Sequence, residues 1–318
     1  MRVKGENRSI SHESLNVRLP PTGEPLRIHA LSGYVSSLYI CEYPERGETL
    51  LLDGGVPGDF DRVNHFVKNG LTSGPSDTQR LTCALSTHAH IDHVGSIERH
   101  LENGTNCFVA EDWESYYTGA GGAFQRVVDA GLASLVAYRL GRGFDYMWHN
   151  GSLSSTNPNL AKTRLRDGTQ IPGFEDWIAI HVPGHTGHMV ALYQPTTNIL
   201  YAADLIIHHK KDFWPPIPLD IPYAYNHTLH RLRKLTVDWL LLPHGGIVNV
   251  EEVGGWDAIL DIVADNAANK TSTNLTKSFV EKALVGWGND NHRFDRDRLP
   301  RTPLPQGSST PAEVYHLR

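Results

Sequence analysis

The sequence predicts an α/β sandwich in which two packed sheets are flanked by outer helices. Short apolar runs of strand-like composition alternate with helix-period stretches at 59–68, 93–101, 225–235 and 256–265. Several of these runs end in polar, ligand-rich loops, as expected when the strands of separate hairpins supply one site at the edge of two sheets. A chain of 318 residues with 40% hydrophobic content can also bury one large core without two independent domains.

Residues 1–24 are polar and read as an N-terminal arm ahead of a catalytic domain over 25–288. The first strand pair is Leu26–Ala30 with Ser36–Tyr43, followed by Leu50–Asp53, which Asp53-Gly54-Gly55 ends in a tight turn. Over 59–68, Phe60, Val63 and Phe66 or Val67 recur on one face of a helix. Leu81–Leu85 reads as a buried strand, and Val94, Ile97 and Leu101 mark a short helix behind it. Cys107–Ala110 is the next strand, and Asp112 opens another helix.

Residues 118–160 depart from this compact layout and read as an insertion, glycine-rich at 119–122, helical over about 124–140 and aromatic from Phe144 to His149. Trp177–Val182 alternates as a strand, Val190–Tyr193 pairs with Ile199–Ala202 across Pro195–Asn198, and Val237–Leu242 is the last strand. Residues 289–318 lack periodicity and predict an extended tail that packs on the surface or on a partner subunit.

A net charge of −6 and no Lys/Arg run longer than two residues leave no basic surface for a nucleic-acid backbone. Cys41, Cys83 and Cys107 are odd in number and widely spaced, which predicts buried reduced thiols. The first sixteen residues lack the apolar core of a secretory signal, and no apolar stretch is long enough for a bilayer. A cytoplasmic protein with no membrane partner is expected.

The densest chemistry lies in Thr87-His88-Ala89-His90-Ile91-Asp92-His93, which packs four strong metal ligands into six consecutive positions behind an apolar run. Neutral imidazole and carboxylate together suit zinc and its neighbours. Further along stand Pro183-Gly184-His185-Thr186-Gly187-His188, Ala202-Ala203-Asp204-Leu205 and Leu242-Pro243-His244-Gly245-Gly246, each after a strand-like run.

From about Leu26 to about Asp265 this pattern resembles the metallo-β-lactamase-fold metallohydrolase superfamily, whose members carry H-x-H-x-D-H, a later His, a bridging Asp and a final His in that order. The resemblance implies a four-layer αββα sandwich. It implies two metal ions, zinc by preference with manganese or iron as alternatives. His88, His90 and His185 would hold one, Asp92, His93 and His244 the other, and Asp204 would bridge them. A hydroxide between the metals then attacks a carbonyl, and Asp92 also carries the catalytic proton. Asp53 is the candidate partner beneath the metal loop or a turn-stabilising residue, and Thr87 either orients a ligand or satisfies local backbone.

Other branches of the superfamily fit less well. His90 stands where flavin-linked di-iron relatives carry Glu. No Cys lies near Asp204 to make an antibiotic-lactamase site, and the glyoxalase II pattern is absent after Ala203. Quorum-quenching lactonases place a Tyr where this chain has Ile207, so a carbonyl-orienting hydroxyl falls to Tyr223, Tyr225 or Tyr146. His188, His208, His209 and His149 read more readily as structural or surface residues.

The stiff loop Asp212–Pro218, with Phe213 and Trp214, joins Tyr146, Trp148, Ile207 and Tyr223 as the expected walls of an apolar pocket. That pocket predicts a small-molecule substrate, a lactone or lactam ring opened in detoxification or secondary metabolism. An acyl or polyketide thioesterase is the runner-up, a metal-bearing binding or regulatory protein is the reading from another class, and a homodimer stays open.

Overall fold

The computed structural model describes residues 12–72, 80–117, 119–143, 146, 163–273, 294–309 and 312–317. Two sheets pack face to face with helices outside them. The first has eight strands: β1 (His12–Leu19), β2 (Glu24–Ser32), β3 (Ser37–Tyr43), β4 (Glu48–Leu52), β5 (Cys83–Ser86), β6 (Asn106–Ala110) and β7 (Thr163–Leu165) in chain order, with β16 (Val314–Leu317) beside β1. In the second, β15 (Gly246–Asn249), β14 (Trp239–Leu242), β11 (Ile199–Tyr201), β10 (Val190–Gln194), β9 (Phe174–His181) and β8 (Gln170–Ile171) lie in that spatial order. A small hairpin, β12 (Ile207–His209) with β13 (Asp212–Trp214), stands apart from both.

Period-two alternation sorts the first sheet's side chains. Tyr39, Cys41, Leu50, Leu52 and Leu85 face the core between the sheets, whereas Leu38, Ile40, Leu51 and Ala84 face a second cluster. Against that outer face pack helix α1 (Asp59–Asn69), through Val63, Phe66 and Val67, and Ile97 of α3 (Ile97–Glu102). The second sheet is apolar on both faces, as Val190 to Tyr193 and Leu240 to Leu242 show. It is covered by α5 (Pro222–Leu232) and α6 (Trp256–Thr273) through Leu229, Leu232, Ile259 and Val263. These layers are the α/β sandwich expected from the sequence.

Strand direction places the site. The pairs β4–β5, β5–β6, β6–β7 and β11–β14 are parallel and need helical crossovers, so their carboxyl ends open onto one edge. At that edge Tyr39 Oη donates to the Leu242 carbonyl at 2.8 Å, and Ser37 N donates to the Pro243 carbonyl at 2.7 Å, tying the two sheets together.

Three sequence readings are corrected. His12–Leu19, inside the expected arm, pairs with β2 over its full length and with β16, because alternating Leu15, Val17 and Leu19 bury one face. The helix expected over 93–101 is two, α2 (Ile91–Val94) and α3. They break at Gly95, where a Cβ would sit 2.9 Å from the Gly55 carbonyl oxygen, so the Asp53-Gly54-Gly55 turn can pack against the metal loop. The helix expected from Asp112 is a short 3-10 turn, Trp113–Tyr117.

The tail lies on the chain's own surface, one of its two expected places: residues 294–309 strap across α5 and the 194–198 turn before β16 joins the sheet. Arg231 Nη2 donates to the Thr302 carbonyl at 2.8 Å, and Ser308 N to the Pro195 carbonyl at 2.8 Å. The insertion's helix, α4, spans Gly119–Arg139. Among the described residues no helix is long and apolar enough to cross a membrane.

Candidate metal centre

Each donor stands just past a strand end. β5 runs into Thr87–His90 and α2, β9 into Pro183–His185, β11 into Asp204, and β14 into His244. Asp53 and Ala203 beside the site hold φ of +74° and +48°, a left-handed conformation that costs a non-glycine residue about 1–3 kcal/mol. Gly184 meets a different demand, because a Cβ there would lie 2.9 Å from the Cα of Tyr225. Only glycine lets the strand end pass α5 and present His185.

The seven predicted donors converge in two groups, His88, His90, His185 and Asp204, and Asp92, His93 and His244. In the first, His90 Nδ1 lies 3.1 Å from His88 Nε2 and 2.9 Å from His185 Nε2. Asp204 Oδ2 lies 3.8 and 3.5 Å from those same two Nε2 atoms. In the second, Asp92 Oδ2 lies 3.6 Å from His93 Nε2 and 3.3 Å from His244 Nε2. Asp204 Oδ1 is 3.2 Å from His93 Nε2 and 3.5 Å from His244 Nε2.

Four ligands about 2.0–2.1 Å from one ion at tetrahedral angles stand about 3.3 Å apart, so both groups have the spacing of a tetrahedral shell. One Asp204 oxygen faces each group. His93 Nε2 and Asp204 Oδ1 are moreover buried without a hydrogen-bond partner although 3.2 Å apart, the geometry of two donors aimed at a common cation. The residues therefore fit a pair of metal ions.

A ring of partners sets which imidazole nitrogen points inward. Asp53 accepts from Thr87 N at 2.5 Å, Thr87 Oγ1 at 2.7 Å, His93 Nδ1 at 2.7 Å and Tyr201 Oη at 2.7 Å. It thereby turns His93 Nε2 toward the site. His185 Nδ1 lies 2.6 Å from the Pro218 carbonyl, and His90 Nε2 lies 2.7 Å from Tyr116 Oη. His188 is a buried loop anchor, its Nε2 accepting from Ala89 N at 3.1 Å, midway between His88 and His90.

Sequence reasoning singled out Asp53 and Thr87 but missed Tyr116, Tyr201 and the Pro218 carbonyl. Tyr201 sits in an apolar run where it reads as core, Tyr116 stands in a polar and aromatic stretch with no ligand spacing, and a carbonyl leaves no trace in residue type. His208 stacks its ring on Phe213 at 4.6 Å, and its backbone N donates to the His244 carbonyl at 2.9 Å. Residues 144, 145 and 147–150, which include Trp148 and His149, lie outside the described residues.

Charge balance points the same way. Burial pushes His88 well below its ordinary pKa and takes His90 and His185 down to about 4, leaving the neutral rings that bind metals. Burial also favours neutral His93 and His244, yet Asp204 and Asp92 outweigh it and raise both. For Asp92, burial pushes upward, but His93 and His244 hold the carboxyl at about 2. The second group thus draws positive charge onto its imidazoles, a charge that a bound dication would replace.

The donors open into a cavity of about 270 Å³, walled by Val35, Ile91, Leu132, Val136, Ile207 and Ile217 among others. Of the predicted wall residues, Ile207 lines it. Tyr146 does not; it packs edge-on against Tyr34 at 6.2 Å, in the cluster that seats α4 beside the metal loop. Phe213 is 2% exposed and belongs to the main core, where α6 anchors its carbonyl through Asn266. Trp214 lies on the β13 strand outside the cavity lining, and the Tyr223 hydroxyl is occupied by the Phe294 carbonyl of the strap. Among the described residues the wall is mainly aliphatic, supplied by α4 and Ile217-Pro218 together with Val35, Ile91 and Ile207.

Fold and site together define a sandwich with a cluster of His and Asp donors at one edge that could hold metal. The profile of the metallo-beta-lactamase superfamily matches residues 32–244, and the chain belongs to that superfamily. It is similar to the Probable metallo-hydrolase YflN of Bacillus subtilis (strain 168), 25% identical over 181 residues, a match that spans 57% of this chain and 64% of that relative. Among solved structures it shares its fold with the metallo-beta-lactamase FIM-1 from Pseudomonas aeruginosa in its mono-zinc form, at a TM-score of 0.51 and 14% identity, covering 78% of this chain and 92% of that one. The DIM-1 metallo-beta-lactamase gives a TM-score of 0.50 at 13% identity, over 77% and 94% of the two chains.

Proposed function

We propose that this chain is a metal-dependent hydrolase that opens a small lactone or lactam ring. The observation that carries the reading is the split of the Asp204 carboxylate, Oδ2 toward His88 and His185 and Oδ1 toward His93 and His244, at ligand–ligand spacing throughout. The Bacillus relative's designation as a metallo-hydrolase supports the reaction class. Two bound dications, zinc first and manganese or iron as alternatives, supply Lewis acidity and water with a pKa lowered to about 7.

The chain's own residues do the rest. Asp92 Oδ2 lines the cavity 3.3 Å from His244 Nε2, where it can accept the proton of an attacking water and return it to the leaving oxygen or nitrogen. Asp53 and the Pro218 carbonyl, which only accept, keep His93 and His185 in one tautomer, and Tyr116 Oη holds the His90 ring in place. The aliphatic wall displaces water and seats a compact, uncharged ring, and 270 Å³ suits a small substrate.

One observation favours a second reading. Leu132 and Ile217 line the cavity yet are 47% and 61% exposed at its mouth, a place for an acyl chain to lie, as a thioesterase needs. A panel of lactones, lactams, esters and acyl thioesters separates the two. Ring substrates should win in kcat/KM by roughly tenfold, about 1.4 kcal/mol. The reverse ratio assigns a thioesterase, and no turnover of any member by metal-loaded protein leaves a metal-bearing binding protein.

A further inference from the structure

Two loops hold the second group of donors from different strand ends. After β2, the loop over 33–36 sets Ser36 Oγ to donate to the Asp92 carbonyl at 3.1 Å, and Ser37 N behind it donates to the Pro243 carbonyl, next to His244, at 2.7 Å. After β4, the turn over 53–56 carries Asp53 to His93 Nδ1 at 2.7 Å, and Gly54 N donates to the His93 carbonyl at 2.7 Å. The partners of His90, His185 and the Ala89 amide come from elsewhere: Tyr116, the Pro218 carbonyl and His188.

Asp59, the first residue of α1, is fully buried and joins these two loops. Its Oδ2 accepts from Val56 N at 3.0 Å while its own N donates to the Val56 carbonyl at 2.9 Å, a reciprocal pair common at a helix entry. Its Oδ1 makes a bond that a helix entry does not need: it accepts from Tyr34 N at 3.0 Å, 25 residues back in the chain. Arg62 Nη1 and Arg142 Nη1 donate to the Ser32 and Gly33 carbonyls just before that residue. Both loops are glycine where the carboxylate wedges in, since a Cβ would stand 2.6 Å from Asp59 Oδ2 at Gly55 and 3.2 Å from it at Gly33.

Keeping a carboxylate there is costly. Burial pushes it up to about 7 although Arg62, the two N–H groups and Arg142 oppose the rise. An apolar side chain would avoid that cost but take the acceptor from two buried N–H groups and uncouple the loops. The same loops present Tyr34, Val35 and Val56 to Ala133 and Ala137 of α4, and Val35 lines the cavity.

We infer that Asp59 is a positioning residue for the second metal group: by tying the 33–36 loop to the 53–56 turn it holds Asp92, His93 and His244 at the spacing of one shell, and so sets whether the centre keeps one ion or two. This role rests on the metal-dependent hydrolase reading and adds to it a residue that touches neither metal donor nor substrate.

Stepwise zinc affinities, from competition against a chromogenic chelator, and the absorption bands of cobalt-loaded protein read the two groups separately. They are measured for wild type, Asp59→Ala, Asp59→Asn and Ser36→Ala, each checked by thermal melting. Asp59→Ala should weaken the second ion by roughly tenfold or more and leave the first nearly unchanged. Asp59→Asn, whose one oxygen can serve only one of the two N–H groups, should fall between. Ser36→Ala cuts the contact through which the 33–36 loop reaches Asp92, so it should weaken the second ion as well. The double variant with Asp59→Ala should then lose less than the two losses multiplied.

Equal weakening of both ions by Asp59→Ala, or a double variant whose losses simply multiply, overturns the inference, because a general loss of structure would give either. A wild type that takes up no second ion refutes the dinuclear centre and this role with it, whereas two ions held alike by wild type and Asp59→Ala refute the role alone. Should Asp59→Ala fail to fold, Asp59→Asn carries the comparison, and an affinity for the second ion equal to that of wild type refutes the role.

Discussion

Asp53 concentrates more of the site on one side chain than any other partner of the donors. Its carboxylate accepts from Thr87 twice, from His93 Nδ1 and from Tyr201 Oη, all within 2.7 Å, and it is 2% exposed. Removing it frees the His93 ring to rotate and leaves buried donors without an acceptor. Asp53→Ala should therefore weaken metal binding by about 10–100-fold, read by competition against a chromogenic chelator. Unchanged affinity would reduce Asp53 to a turn residue. At this scale the donors were legible because H-x-H-x-D-H, the later histidines and Asp204 announce themselves by residue type and order. The cavity was not. Tyr146, Phe213, Trp214 and Tyr223 share the chemistry of a pocket wall, but Phe213 and Tyr146 are taken up by apolar clusters and Tyr223 by the strap. Helix α4 supplies aliphatic residues instead. Residue type says that a side chain is apolar, not which apolar surface it meets.

Helix α3 illustrates how an element sets a pH response. His100 sits on its buried side against Phe60 at 4.8 Å, with neither ring nitrogen hydrogen-bonded. Burial first, and the neighbouring Arg99 charge second, push its pKa from 6.5 down to about 3. A folded pKa below the unfolded one means that the unfolded chain binds the extra proton between those values. The stability tied to neutral His100 is thus complete above about pH 6.5 and is lost as pH falls toward 3. At pH 5 the loss is about 2 kcal/mol. His100→Phe should flatten the fall in denaturant midpoint between pH 7 and 5, and an equal slope in both proteins would refute the assignment. Elements were legible where the period was long and uniform, as in α1 and β3. The break between α2 and α3 was hidden because a Cβ at Gly95 would meet Pro57 and the Gly55 carbonyl as well as the Ile91 carbonyl of its own turn, and the first two are neighbours that no local pattern shows. β1 and β16 were missed because each is a weak strand that only the other's edge, and β2, makes worthwhile.

Over the whole molecule, the C-terminal segment closes the fold on itself. It crosses α5, pins the 194–198 turn and ends in β16, whose Val314 to Leu317 pair with Val17 to Ser14. Deleting residues 310–318 should remove about 2–4 kcal/mol of ladder stabilisation and bare the β1 edge, lowering the thermal midpoint and promoting aggregation without changing the metal-to-protein ratio. An unchanged midpoint would make β16 dispensable. The sandwich itself was legible because both sheets must bury their strands and the ligands must fall at strand ends. The sheet order was not, since pairing across long separations depends on geometry that no single segment encodes. On the function proposed, these two sheets hold a dinuclear centre bridged by Asp204. Elemental analysis of the chain and of Asp204→Ala, after loading with zinc or manganese and removal of free metal, tests it directly. Two ions per wild-type chain and a loss at both sites in the variant are predicted. At most trace metal in the wild type, or two ions retained by Asp204→Ala, would contradict it.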